Sequence, residues 1–177
     1  LFVPSLDEIA FMLDPVRGPR IREQSAAGAP LGGCDAGEVQ HLCARLTAMG
    51  TAVVMLKLGP QGAYLHATGD AARLGACGGA GPADPAAWRG AALQAACFTV
   101  QVAGTTGAGD CTIAGFLAAV AQGLGPAEAL RMAVAVGSTS VEGRDGAREL
   151  PPWRTIAARL ARGWPRDPSP VPFPHVV

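Results

Sequence analysis

The sequence lacks an excess of charge of either sign. Its 177 residues include 14 Lys+Arg and 14 Asp+Glu, a formal net charge of zero, and only 16% of them are charged. Proteins that bind nucleic acid normally carry a basic excess, so this composition argues against a nucleic-acid partner. Aromatic residues are also scarce, at 5%, whereas 49% of the chain is hydrophobic. This composition predicts a folded core built mainly from Ala, Val and Leu rather than disorder.

The chain also lacks paired cysteines, a signal peptide and a long apolar run. Its five cysteines are irregularly spaced and form no C-x-x-C pair. This pattern favours reduced cysteines over a disulfide framework or a zinc site. No basic segment followed by an apolar one marks a signal peptide. The uncharged stretches 90–109 and 111–127 are interrupted by Gln and Gly, unlike the ~20 apolar residues of a membrane helix. We therefore expect a cytoplasmic protein without membrane contact.

Hydrophobic patterning predicts alternating strands and helices. We expect helices at residues 6–13, 35–50, 109–122, 126–141 and 153–162, and strands at residues 52–58, 63–67 and 97–102. The run 52–58 is apolar almost throughout, typical of a strand covered on both faces, and the turn at 59–62 makes it half of a hairpin. The segment 14–34 is expected to be irregular, and 69–96 carries little signal. Strands alternating with helices indicate an α/β sheet layered by helices.

The predicted domain covers residues 1–163, and a Pro-rich tail, expected to be extended, follows at 164–177. The chain opens with Leu1-Phe2-Val3 and no methionine, which we interpret as a strand end in a processed or truncated protein. Without preceding strands, Phe2, Val3 and residues 53–56 would lie on an exposed apolar edge or face, and the isolated chain would tend to associate.

The most informative segment is V-A-G-T-T-G-A-G-D-C-T at residues 102–112. A strand, a glycine-rich turn and a helix in this order leave free backbone N–H groups at one point, where a phosphate is favoured. The P-loop pattern fails because Asp110 stands where it requires Lys. The dinucleotide pattern fails because Thr112 replaces its last Gly. What remains is an anion-binding turn whose next residue, Asp110, either has a chemical role or caps the helix.

The string T-T-G-A-G-D, followed by small residues at 113–118, resembles the second signature of the ribokinase-like (PfkB) carbohydrate kinases. Other segments follow in the family's order. P-S-L-D-E at 4–8 resembles its P-N-x-x-E element, V-V-M-L-K-L-G-P-Q-G at 53–62 its K-x-G-x-x-G element, and 133–147 its closing helix and G-A loop. The resemblance covers most of residues 1–153 and matches roughly the C-terminal half of a family member. It implies part of a three-layer α/β/α sandwich of the ribokinase-like fold.

The resemblance also implies an ATP-dependent carbohydrate kinase and assigns roles to individual residues. Asp110 would take the proton from the sugar hydroxyl. The backbone of Gly107, Ala108 and Gly109 would form the anion hole. ATP would be bound by Lys57, Gly59, Gly62 and Thr106. Glu8 would act on Mg²⁺ through water. ATP, Mg²⁺ and a small-molecule sugar are the implied ligands, and a homodimer is one assembly open to the protein.

The sequence departs from the family at three points. Gly104 stands where many members have an Asp associated with a monovalent cation, so potassium dependence is doubtful. Ser5 replaces the family's Asn, and the half that holds most sugar-recognition residues has no counterpart here. Two alternatives stay open: a catalytically silent nucleotide-binding or interaction module, and a nucleoside or vitamin kinase of the same superfamily. Purely structural roles are also open for some of these residues. Ser5 and Glu8 match a capping box, and the side chain of Lys57 could extend along apolar surface to place its charge in solvent.

Overall fold

The computed structural model describes residues 1–168 and 171–177. Its helices and strands, in chain order, are α1 (Leu6–Leu13), α2 (Gly18–Ala26), α3 (Ala36–Ala48), β1 (Val53–Lys57), β2 (Ala63–Ala67), α4 (Ala71–Gly75), α5 (Pro85–Trp88), β3 (Ala92–Ala95), α6 (Ala108–Ala121), α7 (Pro126–Ser140) and α8 (Trp153–Ala161). Short 3₁₀ turns lie at Pro30–Gly33, Gly59–Gln61, Gly78–Ala80 and Gly146–Glu149. Most of the elements predicted from patterning are confirmed.

The three strands form one sheet in the order β1-β2-β3, with both pairs antiparallel. The hairpin predicted between β1 and β2 is confirmed, with Met55 opposite Leu65. On the other side of β1 the amino-terminal segment forms parallel bridges from Phe2 to Val54 and from Ser5 to Lys57. The start of the chain therefore behaves as the strand end that the sequence predicts.

Helices cover the sheet on both faces. Alternate residues of β1 belong to different hydrophobic clusters: Val53 and Met55 pack with α6 and α7, whereas Val54 and Leu56 pack with α1 and α3. All four side chains are 0% exposed. The predicted three-layer arrangement is therefore present. The expected exposure of residues 53–56 was wrong, because helices of this same chain occupy both sides of the strand.

Two other sequence predictions need correction. The segment 14–34, expected to be irregular, contains α2 and a 3₁₀ turn that packs Leu31 into the core. The strand expected at 97–102 lies instead at Ala92–Ala95. The observed strand ends at Ala95 because Ala95 pairs with Ala63, the first residue of β2. The chain before β2 turns away at Gly62, which has φ 88° and lies against the carbonyl of Ala95.

The helix ends follow from local sequence. Capping boxes begin α1 and α3, where Ser5 and Asp35 accept hydrogen bonds from the backbone N–H groups of Glu8 and Glu38. The long helices α6 and α7 approach closely because Gly115 carries no side chain; a Cβ there would lie 2.8 Å from Cβ of Val136. This contact fixes the direction in which the amino end of α6 points.

The tail beyond residue 163 contributes to both hydrophobic clusters. Trp164 stacks on Phe98 at 4.6 Å between ring centroids, and Phe173 stacks on Tyr64 at 5.3 Å. Arg166 pairs with Phe98 in an isolated antiparallel bridge. Residues 169 and 170 lie outside the described residues. The predicted boundary at residue 163 stays a prediction.

Candidate active site

The turn before α6 is held by the carboxyl end of α7. The N–H groups of Ala103 and Gly104 both donate to the carbonyl of Val141, at 2.7 and 3.3 Å. Gly107 is the N-cap residue with φ 77°, a left-handed conformation that favours glycine. These two hydrogen bonds hold the glycine-rich turn at the amino end of α6.

Backbone donors are exposed at this helix start. Within residues 1–168 and 171–177, the N–H groups of Gly107, Gly109 and Asp110 have no acceptor, whereas Ala108 donates to the carbonyl of Thr105 at 3.2 Å. Unpaired N–H groups and the positive end of the helix dipole favour an anion. Two of the three predicted anion-hole donors are thus free, and the Asp110 N–H is a further donor that sequence reasoning missed.

Lys57 brings a positive charge to the same point. It ends β1, and its Nζ lies 3.5 Å from the position that a Cβ on Gly109 would occupy. Lys57 has no salt bridge among the described residues. An ammonium group beside unpaired N–H groups is suited to a phosphate. Sequence reasoning proposed Lys57 and Gly109 as phosphate contacts separately, and the fold places them together.

A mainly apolar cleft of about 420 Å³ leads away from this point. Five residues predicted to contact ATP or its phosphates line it: Lys57, Gly59, Gly62, Ala108 and Gly109. Its lining also includes Phe98, Val100 and Val102. Their alternation in sequence predicted a strand, but the segment is not one. The cleft has the apolar lining and few polar groups expected of a small-molecule site.

A second cleft of about 350 Å³ shares four lining residues with the first: Lys57, Gly59, Pro60 and Gly109. Its lining comes from the start of α1, including Ser5 and Asp7, and from the segment that follows α2. Lys57 and the amino end of α6 therefore lie between two clefts rather than at the bottom of one. Two ligands could approach the same anion-binding point from different sides.

Asp110 lies on the first turn of α6 but lines neither cleft. It is exposed, and its carboxylate forms no hydrogen bond or salt bridge within the described part of the chain. The helix is capped at Gly107 without any side-chain cap. The alternative interpretation of Asp110 as an N-cap was therefore wrong, and its carboxylate is available to a ligand.

Glu8 and Thr106 lie outside both linings. Glu8 completes the capping box of α1: its Oε2 accepts a hydrogen bond of 2.6 Å from the Ser5 N–H. The backbone and side-chain hydrogen bonds with Ser5, and to a smaller extent the charge of Lys57, hold the pKa of Glu8 below its usual value. The carbonyl of Thr106 points at Gly146: a Cβ added to Gly146 would lie 2.7 Å from the Thr106 carbonyl oxygen.

Three wall residues were missed by sequence reasoning. Cys97 donates from Sγ to the carbonyl of Gly59 at 3.6 Å, and burial raises the pKa of its thiol. Ser138 accepts a hydrogen bond from the Phe98 N–H at 3.2 Å. Asp167 reaches the cleft from the tail. No motif marks any of the three, because they are brought together by the return of the tail and by α7.

Two kinds of site are absent from the part of the chain that the structure describes. No helix there is long and apolar enough to cross a membrane. No three residues of the His, Cys, Asp or Glu types are grouped there so that they could hold a metal ion by themselves.

Comparison with known proteins identifies the family. The model of the pfkB family carbohydrate kinases matches residues 24–153. The chain belongs to this family. The match includes the amino end of α6 with its free donors, and Lys57. A comparison with curated proteins found no significant match.

Solved structures of pfkB-like kinases share the fold. A ribokinase of Thermotoga maritima aligns with TM-score 0.61 and 19% identity, over 90% of this chain and 41% of its own. The ribokinase of Arabidopsis thaliana, solved with ribose and ATP, aligns with TM-score 0.56 and 25% identity, over 71% and 34%. Phosphofructokinase-2 of Escherichia coli, solved with substrates and products, aligns with TM-score 0.59 and 19% identity. That alignment covers 90% of this chain and 40% of the phosphofructokinase. The chain thus has a partial ribokinase-like fold and spans 34% to 41% of the length of these structures.

Proposed function

We propose that this chain is the nucleotide-binding and catalytic part of an ATP-dependent carbohydrate kinase, which transfers the terminal phosphoryl group of ATP to a sugar hydroxyl. The single observation that carries the proposal is the convergence of free donors at the amino end of α6 with Nζ of Lys57, at the end of an apolar cleft. Membership of the pfkB family supports the same reaction.

The nucleotide would lie in the apolar cleft with its phosphates at the helix end. Gly59 and Gly62 line this cleft without side chains, so the backbone can approach the ligand. The N–H groups of Gly107 and Gly109 would donate to the transferring phosphoryl group. This charge stabilisation is the main requirement of phosphoryl transfer, which needs positioning more than covalent chemistry. Thr106 and Ala108 would contribute through the shape of the turn.

Asp110 would act on the acceptor sugar. Its unpartnered carboxylate is adjacent in sequence to the donors that would hold the phosphoryl group. As the bond forms between the sugar oxygen and phosphorus, and the bond to ADP breaks, the hydroxyl proton would pass to Asp110. A carboxylate is a weak base, but the proton moves late in a loose transition state. The second cleft offers a route by which the acceptor could approach.

Mg²⁺ fits this centre as a partner of the nucleotide rather than of a protein cage. Magnesium usually keeps several waters and takes one or two carboxylates together with substrate phosphates. Oε2 of Glu8 is engaged by Ser5, which leaves the other oxygen to contact a metal-bound water. When bound, the ion would neutralise negative charge on the phosphate oxygens. Gly104 offers no side-chain ligand to a monovalent cation.

The experiment is a comparison of Asp110→Asn with wild type in the intact protein that contains this chain. Loss of the base should lower kcat by about 10²–10⁴-fold, while ADP affinity stays equal or improves because a negative charge near phosphate is removed. Glu23→Gln, a matched loss of one exposed carboxylate on α2, should leave both unchanged. Wild-type kcat in the Asp110 variant would show that this residue is not the base.

Absence of any nucleotide binding by folded wild-type protein would refute the whole proposal. Nucleotide binding without turnover for any sugar or nucleoside would favour the silent-module alternative. Turnover with a nucleoside but no sugar would favour a nucleoside kinase. Calorimetric titration with ADP and a coupled ADP-release assay separate these outcomes.

A further inference from the structure

The loop that follows α7, residues 142–149, lies against the glycine-rich turn before α6 at both ends of that turn. At one end, a Cβ added to Gly104 would lie 3.3 Å from the carbonyl oxygen of Gly143. At the other end, a Cβ added to Gly146 would lie 2.7 Å from the carbonyl oxygen of Thr106. Because the backbones touch without side chains between them, a shift of the loop would shift the turn as well.

Glu142 fastens this loop to α8. Two hydrogen bonds join it to Arg159, from Nη1 to Oε2 at 2.6 Å and from Nη2 to Oε1 at 3.0 Å. Within residues 1–168 and 171–177, no other side chain of the loop forms a hydrogen bond to a residue outside it. Paired charge-assisted bonds of this kind fix geometry. The two side chains are 39% and 32% exposed, so the pair should contribute little to folding stability.

Arg159 itself is held in one position by Trp164. Its Cζ lies 3.5 Å from the centroid of the Trp164 ring, a cation–π contact. The ring is fixed in turn, because its Nε1–H donates to the carbonyl of Thr99 at 3.0 Å and its face stacks on Phe98. Phe98 and Thr99 belong to the segment that passes along the apolar cleft. Arg159 therefore ties the loop to the same framework that forms the cleft.

We propose that Arg159 is a positioning residue for phosphoryl transfer. Through Glu142 it keeps the loop against the glycine-rich turn, and so keeps the N–H groups of Gly107 and Gly109 aimed at the transferring phosphoryl group. The inference rests on the proposed function, which assigns that role to these donors. Donors stabilise a transition state best when they are already in place. A misplacement of about 1 Å caused from a distance can cost roughly 100-fold in rate.

The test compares Arg159→Ala, Glu142→Ala and the double variant in the intact protein that contains this chain. Common sugars and sugar phosphates are offered in the ADP-release assay, and kcat is measured with the acceptor that wild type uses best. Calorimetric titration with ADP counts the binding-competent sites, so that kcat is expressed per site. Each single variant should lose about 10–100-fold in kcat, and the double variant no more, because both changes break the same link.

Affinity for ADP should fall much less than kcat, because ADP lacks the transferring group. This split separates positioning from a general structural role, which would reduce the number of binding-competent sites instead. Arg154→Ala is the matched control. Arg154 is also exposed on α8 and has no salt bridge among the described residues, so its removal should leave kcat and ADP affinity unchanged.

Every other outcome counts against the inference. Wild-type kcat per site in folded Arg159→Ala would overturn it, and a loss of kcat in Asp110→Asn would then leave the kinase proposal intact. Losses that multiply in the double variant, or an equal loss in Arg154→Ala, would overturn the route through Glu142. If Arg159→Ala does not fold, Glu142→Ala tests the same link, and failure of both to fold would show a structural role instead. Absence of turnover by folded wild type with every acceptor would overturn the proposed function and this inference with it.

Discussion

The substitution Gly109→Ala should stabilise the protein and weaken its nucleotide binding at the same time. Gly109 is the second residue of α6. Alanine is a better helix former than glycine by roughly 0.5–1 kcal/mol in a helix interior. A new Cβ would meet only Lys57, with Nζ at 3.5 Å and Cδ at 3.9 Å, which are ordinary contacts. We therefore expect a gain of about 0.5 kcal/mol in the free energy of unfolding.

The same methyl group would stand where the phosphate is expected, between the helix N–H groups and the ammonium of Lys57. Losing one hydrogen bond to a charged group costs about 1.5–3 kcal/mol, so ADP affinity should fall by roughly tenfold or more. Urea unfolding measures the first effect, and calorimetric titration with ADP measures the second. A more stable variant with unchanged ADP affinity would refute the assignment of the helix end as the phosphate site.

Gly115→Ala is the matched control, because it makes the same change in the same helix. Its Cβ would lie 2.8 Å from Cβ of Val136, closer than real Cβ contacts, so α6 and α7 would be forced apart. Overpacking of this kind costs typically 1–3 kcal/mol. We expect this variant to lose stability, so it is a control for the stability effect and not for ADP affinity. The two alanines should thus shift stability in opposite directions.

Two further predictions concern the turn after β1 and the start of α1. Gly62→Ala should destabilise the protein by more than about 1–3 kcal/mol, because its φ of 88° is strained for alanine and a Cβ would collide with the carbonyl of Ala95. Gly59→Ala is the control: Gly59 has φ 57° but open space around it, so this variant should suffer the backbone strain without a collision. If urea unfolding showed equal losses of stability for the two variants, the collision with Ala95 would be contradicted. Glu8→Gln should flatten the acid dependence of stability. The pKa of Glu8 is lowered on folding, so its contribution is present above its ordinary value of 4.5 and is lost as pH falls through the lower folded value. Melting temperatures measured from pH 7 to pH 3 test this, with Glu23→Gln as the control. If the melting temperature of Glu8→Gln fell on acidification as much as those of wild type and the control, the prediction would be contradicted.

The elements with strong local signals were predictable. The apolar run of β1 and the two capping boxes gave correct elements, because they depend on neighbouring residues only. The strand placed at 97–102 was wrong for a non-local reason. Whether an alternating segment becomes a strand depends on a partner, and β2 offers none beyond Ala63.

The candidate site divides in the same way. The sequence by itself determined the glycine-rich helix start, since free N–H groups follow from the turn and the absence of a capping side chain at Gly107. Only the tertiary structure decided that Nζ of Lys57 lies beside Gly109 and that the tail brings Asp167 to the cleft. Backbone geometry is set by near neighbours, whereas the meeting of residues far apart in sequence is set by how the layers pack. Hydrophobic burial drives that packing without direction, and individual close contacts then choose the arrangement.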